Sequence, residues 1–272
     1  MLKMPRFNFE TAVIDPQTEW TRRRLQIMLG GGVAVVLAVL AGGVWSVASI
    51  VTGGSDAVDS SNGATQSAQD QLASKQLPVA PLEAAQPGSL SSGETGTLEI
   101  PAPMEVGEVG VATGFPHTPE GALAQLAAID STALTSASVR VAQDVIAQWA
   151  APGGPSAESW TGVLAVAALL ESAGMSSDAQ NSITIAVEPK MGYIKGTVGD
   201  DFVVPCIDFI VTATIAAGQP QQVAAADCQR MVWQNDRWVI GPGEEPAPAP
   251  SLWPGSQASF DAGYQWLEVP QS

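Results

Sequence analysis

Apolar and polar positions change spacing several times along this chain, and each change predicts a different kind of element. From Leu25 to Val51 there is no charged residue over 27 positions, more than the about 20 apolar residues a helix needs to cross a bilayer. Arg22, Arg23 and Arg24 abut its start and the next Lys or Arg is Lys75, so the positive-inside rule places residues 1–24 in the cytoplasm as a basic stub and everything after Val51 outside. Ser46, Val47 and Ala48 resemble a signal-peptide cleavage site, but a signal h-region spans only about 7 to 15 residues. An uncleaved single-pass anchor over 25–51 is therefore preferred. Gly30, Ala34, Ala38, Gly42 and Ser46 recur at every fourth position and form a ridge of small side chains that suits close helix packing in a membrane.

Residues 52–113 show no sustained period and no aromatic residue, which predicts a disordered linker. A helical period then starts at Pro119, where Thr118 supplies an N-cap, Pro119 a fixed φ and Glu120 a first-turn acid. Three helices are expected: Pro119 to Ile129 burying Leu123, Leu126 and Ala127; Ser138 to Trp149 burying Val141, Val145, Ile146 and Trp149; and Ala157 to Ala173 burying Trp160, Val163, Leu164, Ala167 and Leu170. Gly174 follows as a C-cap. Beyond it the period falls to two, predicting strands over 183–187, 193–198, 203–215 and 223–233, and a tight Asn235-Asp236 turn between Trp233 and Trp238. The whole reads as an α+β fold over 114–240, three helices on one face of a curved antiparallel sheet. Residues 241–272 form a Pro-rich spacer and an aromatic tail with Trp253, Phe260, Tyr264, Trp266 and Leu267. Phe260, Tyr264 and Leu267 recur at helical spacing, and the stripe either docks on the domain or holds a partner.

Charge sharpens this picture. The 272-residue chain carries a net charge of -16. Residues 1–24 hold five basic and three acidic side chains, while 52–272 hold six basic and 24 acidic ones. So acidic an exported part excludes direct nucleic-acid binding through phosphate neutralisation. Cys206 and Cys228 lie in two expected neighbouring strands, equidistant from a turn near Ala217, Gly218 and Gln219. Opposed positions of antiparallel strands come within about 4.5 Å at Cα, which predicts a disulfide, permitted by export.

The order of parts resembles a known plan: stub, membrane helix, linker, helices, then a sheet ending in the Trp233–Trp238 hairpin. It is similar to the exported nuclear-transport-factor-like domains of bitopic assembly factors in type IV secretion and conjugation machines, and to membrane proteins of actinobacterial integrative elements. The stretch Gly114 to Ala122 and the tail stretches Pro250 to Ser256 and Ala262 to Leu267 resemble recurrent segments of the latter. Mce-associated membrane proteins share the plan. The resemblance implies a cone-shaped domain, no catalytic residues and no cofactor, and a structural subunit of a conjugal transfer apparatus whose partners are the bilayer, other membrane or secretion subunits and further copies of itself.

Chemistry is sparse at the level of motifs. No P-loop, dinucleotide turn, HExxH or GxSxG occurs, which removes the common phosphate, metal and acyl-transfer signatures. The single histidine, His117, precedes an N-cap and is expected in a capping loop. Asp208, on the Cys206 face, is expected at a solvated edge. Asp227 and Gln229 are expected opposite Ile207 and Phe209, as a polar spot in a concave pocket. A deep apolar pocket with two convergent titrating groups would favour a ligand-binding or enzymatic domain, and a lipid-transport accessory is a third reading.

Overall fold

A computed structural model describes residues 67–177, 182–216 and 218–269. The expected anchor over 25–51, its small-residue ridge at Gly30, Ala34, Ala38, Gly42 and Ser46, and the arginines Arg22, Arg23 and Arg24 lie outside these residues. Among the described residues no helix is long and apolar enough to cross a membrane.

The described chain is a mixed α+β fold. In chain order its helices are α1 (Ala68–Ala73), α2 (Pro119–Thr135), α3 (Val139–Trp149), α4 (Thr161–Ser172) and α5 (Gln257–Asp261). Its strands are β1 (Thr97–Glu99), β2 (Glu105–Val106), β3 (Ala112–Thr113), β4 (Ile183–Thr197), β5 (Phe202–Ile215), β6 (Gln221–Cys228), β7 (Met231–Gln234), β8 (Arg237–Ile240) and β9 (Gln265–Glu268). The main sheet runs β1-β9-β4-β5-β7-β8, with β6 on β5 beside β7. Every pairing in it is antiparallel except β1 on β9.

Helix α2 begins where its cap predicts: the Thr118 hydroxyl accepts from the Gly121 amide at 3.1 Å, with Pro119 in the first turn. Gly121 is obligatory there, because a Cβ would lie 2.0 Å from the Pro116 carbonyl oxygen. The helix runs six residues beyond the expected end at Ile129 because it is central: Leu123, Leu126, Ile129, Ala133 and Leu134 are all buried. Such a helix has apolar residues around most of its circumference, so its exit is invisible to a one-face pattern. Helix α3 buries Val145, Ile146 and Trp149 as expected, with Ala142 rather than Val141 completing the stripe. Helix α4 starts four residues later than expected and buries Val163, Val166, Leu169 and Leu170, leaving Leu164 51% exposed. Gly174 takes the left-handed position at φ 67°, and the Met175 amide reaches back to the Leu170 carbonyl at 2.8 Å.

The two short strands expected over 183–198 are one, β4, with a register shift between Pro189 and Met191. Conversely the single strand expected over 223–233 is broken at Gln229 and Arg230 into β6 and β7. Asn235 and Asp236 carry φ of 52° and 59°, the positive pair that a two-residue hairpin turn needs, and Trp233 faces Trp238 across it.

Residues 67–113 correct the linker expectation. The hydroxyl of Ser67 caps α1, β1 joins the sheet beside β9, and β2 pairs with β3. Isolated apolar side chains, among them Ala73, Ala85 and Val111, are buried one at a time. Their irregular spacing leaves no period to read, while the sheet supplies partners for the backbone. The tail is a second correction. Only Gln257–Asp261 is helical; Gln265–Glu268 adds to the edge of β4. Trp266 and Leu267 thus lie in a strand, Tyr264 is buried with its hydroxyl donating to the Pro250 carbonyl at 3.1 Å, and Phe260 meets Trp266 edge-on. Trp253 donates its amide to Ala84. The tail docks in cis: Ala249, Leu252 and Tyr264 cover the sheet face that the helices leave open, while Trp253 and Leu267 pack against the main core.

This double covering explains why β5 is buried on both sides over its first eight residues. Ile207, Phe209 and Val211 face the helices in the main core. Cys206 faces the other way, with Met191, Cys228, Ala249, Leu252 and Tyr264. Lys195 fastens that side: its ammonium, 6% exposed as a residue, donates to the carbonyls of Lys75 at 3.1 Å and Ala247 at 2.6 Å and approaches that of Ala73 at 3.5 Å.

Candidate functional site

The Cys206–Cys228 disulfide is present, between directly paired residues of β5 and β6 with Cα atoms 4.1 Å apart. The same register puts Asp227 opposite Ile207, as expected. It puts Ala225, not Gln229, opposite Phe209; Gln229 instead sits beside Pro205, to whose carbonyl its amide donates. Asp227 and Gln229 are two residues apart on extended chain and so share a face, and Asp227 Oδ2 accepts from Gln229 Nε2 at 3.0 Å.

Asp208 overturns the expectation of a solvated edge. It is fully buried, and neither carboxylate oxygen has a hydrogen-bond partner. Burial pushes its pKa well above the usual carboxylate range, only partly offset by the nearby Leu252 amide. The physical reason is the docked tail, which covers the Cys206 face. Tyr264, buried alongside, is raised by burial and by the charges of Asp208 and Asp227.

His117 lies in the loop before α2, as expected. Its ring stacks on Trp233 at 4.3 Å and meets Trp238 edge-on at 5.4 Å, and its Nε2 is 2.9 Å from Asp201 Oδ1. With its ring committed to these neighbours, the histidine ties the loop to the β7–β8 hairpin, where Trp238 Nε1 also donates to the Pro116 carbonyl.

The concave site lies on the helix side of β6. A cavity of about 440 Å³ is walled by α2, α4, β5, β6 and the segments around Leu77 and Ala249. Most of its wall is apolar, with Leu77, Leu134, Trp160, Leu164, Phe209 and Ala225 contributing. The exposed Leu164 is explained here, since it faces this space rather than the core. Two acids, Asp130 from α2 and Asp227 from β6, enter the same cavity. A third, Glu245, stands beside them. Its Oε1 accepts from the Thr161 amide at 3.0 Å, capping α4, whose N-cap Trp160 offers no side-chain acceptor.

The electrostatics follow from this crowding. Burial, then the charges of Asp227 and Glu245, push Asp130 well above the ordinary range. Burial and the Glu245 charge push Asp227 up to about 7, against the opposing effect of the Gln229 and Cys228 donors. Glu245 is raised by burial, with donations from Thr161 and Gln229 opposing. Among the described residues, every ion pair lies elsewhere, and none supplies a cation to these three acids. Asp130 Oδ2 and Trp160 Nε1 are buried without a hydrogen-bond partner. No group of acids, histidines or cysteines among the described residues has the arrangement of a metal site.

Sequence reasoning found Asp227 and Gln229 but missed Asp130, Trp160 Nε1 and Glu245. The one available signal was Asp130 itself, a lone acid inside the apolar run from Leu123 to Leu134. Glu245 carried none, since it reaches the site only because the Pro-rich segment folds back. Comparison with family models, with curated proteins and with solved structures yields no match.

Proposed function

We propose that this chain is a membrane-anchored, non-enzymatic subunit of a conjugative, type IV secretion-like DNA-transfer apparatus. Its N-terminus is cytoplasmic, its α+β domain is outside, and it works through protein contacts, including contacts with further copies of itself. The observation that carries export is the Cys206–Cys228 bridge, because disulfides between buried, paired strand positions persist in oxidising compartments. That agrees with the 27-residue uncharged segment preceded by three arginines. Helices on one face of a strongly antiparallel sheet are the parts from which a nuclear-transport-factor-like cone is built, which supports the assembly-factor reading.

Topology and role are tested together. Alkaline phosphatase fused after Gly54 should be active and the same reporter fused after Glu10 silent; deletion of the gene should lower transfer between cells, and crosslinking should capture membrane subunits. A mature polypeptide released in soluble form and beginning near Ser49 would refute the anchor and with it the scaffold.

A second reading has its own support. The cavity is apolar and receives two acids whose pKa values burial raises, an arrangement typical of a small-molecule site. In that reading the exported domain senses or carries a ligand while anchored.

A further inference from the structure

We infer that the cavity between α2, α4 and β6 binds an apolar molecule bearing one ammonium group, held between Asp130 and Asp227. This rests on the ligand-site reading and specifies its ligand. The volume, about 440 Å³, is that of pockets that enclose small organic molecules. Its walls offer hydrocarbon and aromatic surface, so the body of the ligand is apolar.

The polar end is selected by charge and by unmet hydrogen bonding. Asp130 is 4% exposed, yet its Oδ2 lacks a donor; buried acceptors are rarely left so, because desolvation is then uncompensated. Asp227 already accepts from Gln229, and Glu245 from Thr161, so Asp130 is the acid with capacity to spare. An ammonium there donates to Asp130 and Asp227 and lies near the negative charge of Glu245. Trp160, whose Nε1 has no hydrogen-bond partner, contributes to the same wall. An anionic ligand is disfavoured, since it would add to three acids that no cation among the described residues pairs with.

The groups that face the site and titrate are Asp130, Asp227 and Glu245, with Tyr264 and Asp208 beyond the sheet. An ammonium favours their ionised forms, so its binding weakens as pH falls and protons compete for the same oxygens.

The test uses the full chain in a nonionic detergent and three probes that share a naphthylethyl skeleton: 2-(1-naphthyl)ethylamine, its isostere 2-(1-naphthyl)ethanol, and 3-(1-naphthyl)propanoate. Titration calorimetry at pH 8 should show the amine binding at least tenfold more tightly than the alcohol and the carboxylate, and losing several-fold in affinity by pH 6. Asp130→Asn and Asp227→Asn should each cost the amine tenfold or more, with the tryptophan emission of the folded protein retained. Ala165→Phe, which fills the cavity from α4, should abolish binding of the amine, and Glu120→Gln, outside the cavity, should leave it unchanged. Equal binding of amine and alcohol, with loss in Ala165→Phe, would overturn the ammonium inference while keeping a ligand site. Failure of all three probes, or binding indifferent to Ala165→Phe, would overturn both.

Discussion

The buried acids predict that this domain gains stability on mild acidification, opposite to the usual behaviour of surface carboxylates. Asp227 has its pKa pushed up to about 7, from 3.8 in an unfolded chain. A carboxyl raised on folding binds its proton more tightly in the native state. Its contribution is therefore fully present below the unfolded value and is lost as pH rises from about 4 through about 7. A difference of about 3 pK units sets a ceiling of about 4 kcal/mol, at 1.36 kcal/mol per unit. Asp227 remains partly accessible through the cavity, and water reaching it raises the effective dielectric, so about 1–2 kcal/mol is expected. Asp208 and Asp130 act in the same direction. Asp70 and Glu108, whose pKa values are lowered chiefly by their hydrogen bonds, oppose it only below their ordinary range, outside the window. The assay is urea unfolding of the detergent-solubilised chain, read by tryptophan fluorescence at pH 5, 6, 7 and 8, for the wild type and Asp227→Asn. The wild type should be more stable at pH 5 than at pH 8, and the variant should show a flatter profile and be the more stable of the two at pH 8. Relief of self-repulsion in so acidic a chain affects both alike and cancels. A wild type that loses stability steadily from pH 8 to 5, or a variant that tracks it within about 0.5 kcal/mol throughout, would refute the reasoning.

Other perturbations have definite outcomes. Reducing the disulfide, which closes a separation of 22 residues, should cost about 3 kcal/mol by loop entropy, measured as a lower urea midpoint in dithiothreitol. Lys195→Met should leave the carbonyls of Lys75 and Ala247 without their buried donor and cost about 1–3 kcal/mol; hydrogen exchange should rise first in 67–77 and around Ala247. Gly121→Ala should be severely destabilising, since its Cβ would meet the Pro116 oxygen at 2.0 Å, and the melting temperature should fall far more than for Gly174→Ala, which meets only left-handed strain. Tyr264→Phe removes the donor to Pro250 and should cost about 1 kcal/mol, seen as a small shift in the thermal midpoint.

Local signals along the chain determined the helices and strands that carry the core. Thr118-Pro119-Glu120 marked the start of α2, Gly174 the end of α4, and Asn235-Asp236 the β7–β8 turn, because each is a short-range demand on φ or on an amide. The Cys206–Cys228 pairing was legible too, since a hairpin's register follows from counting out from its turn. The folding of 67–113, the turn of the tail from helix into strand, and the burial of Asp208 were decided only in three dimensions. Those segments have no period of their own; each owes its place to a sheet edge or face that other residues build. The cavity is the extreme case, for Asp130, Trp160, Asp227 and Glu245 come from four separate stretches of chain, and their shared electrostatics exist only once α2, α4 and β6 enclose the space between them.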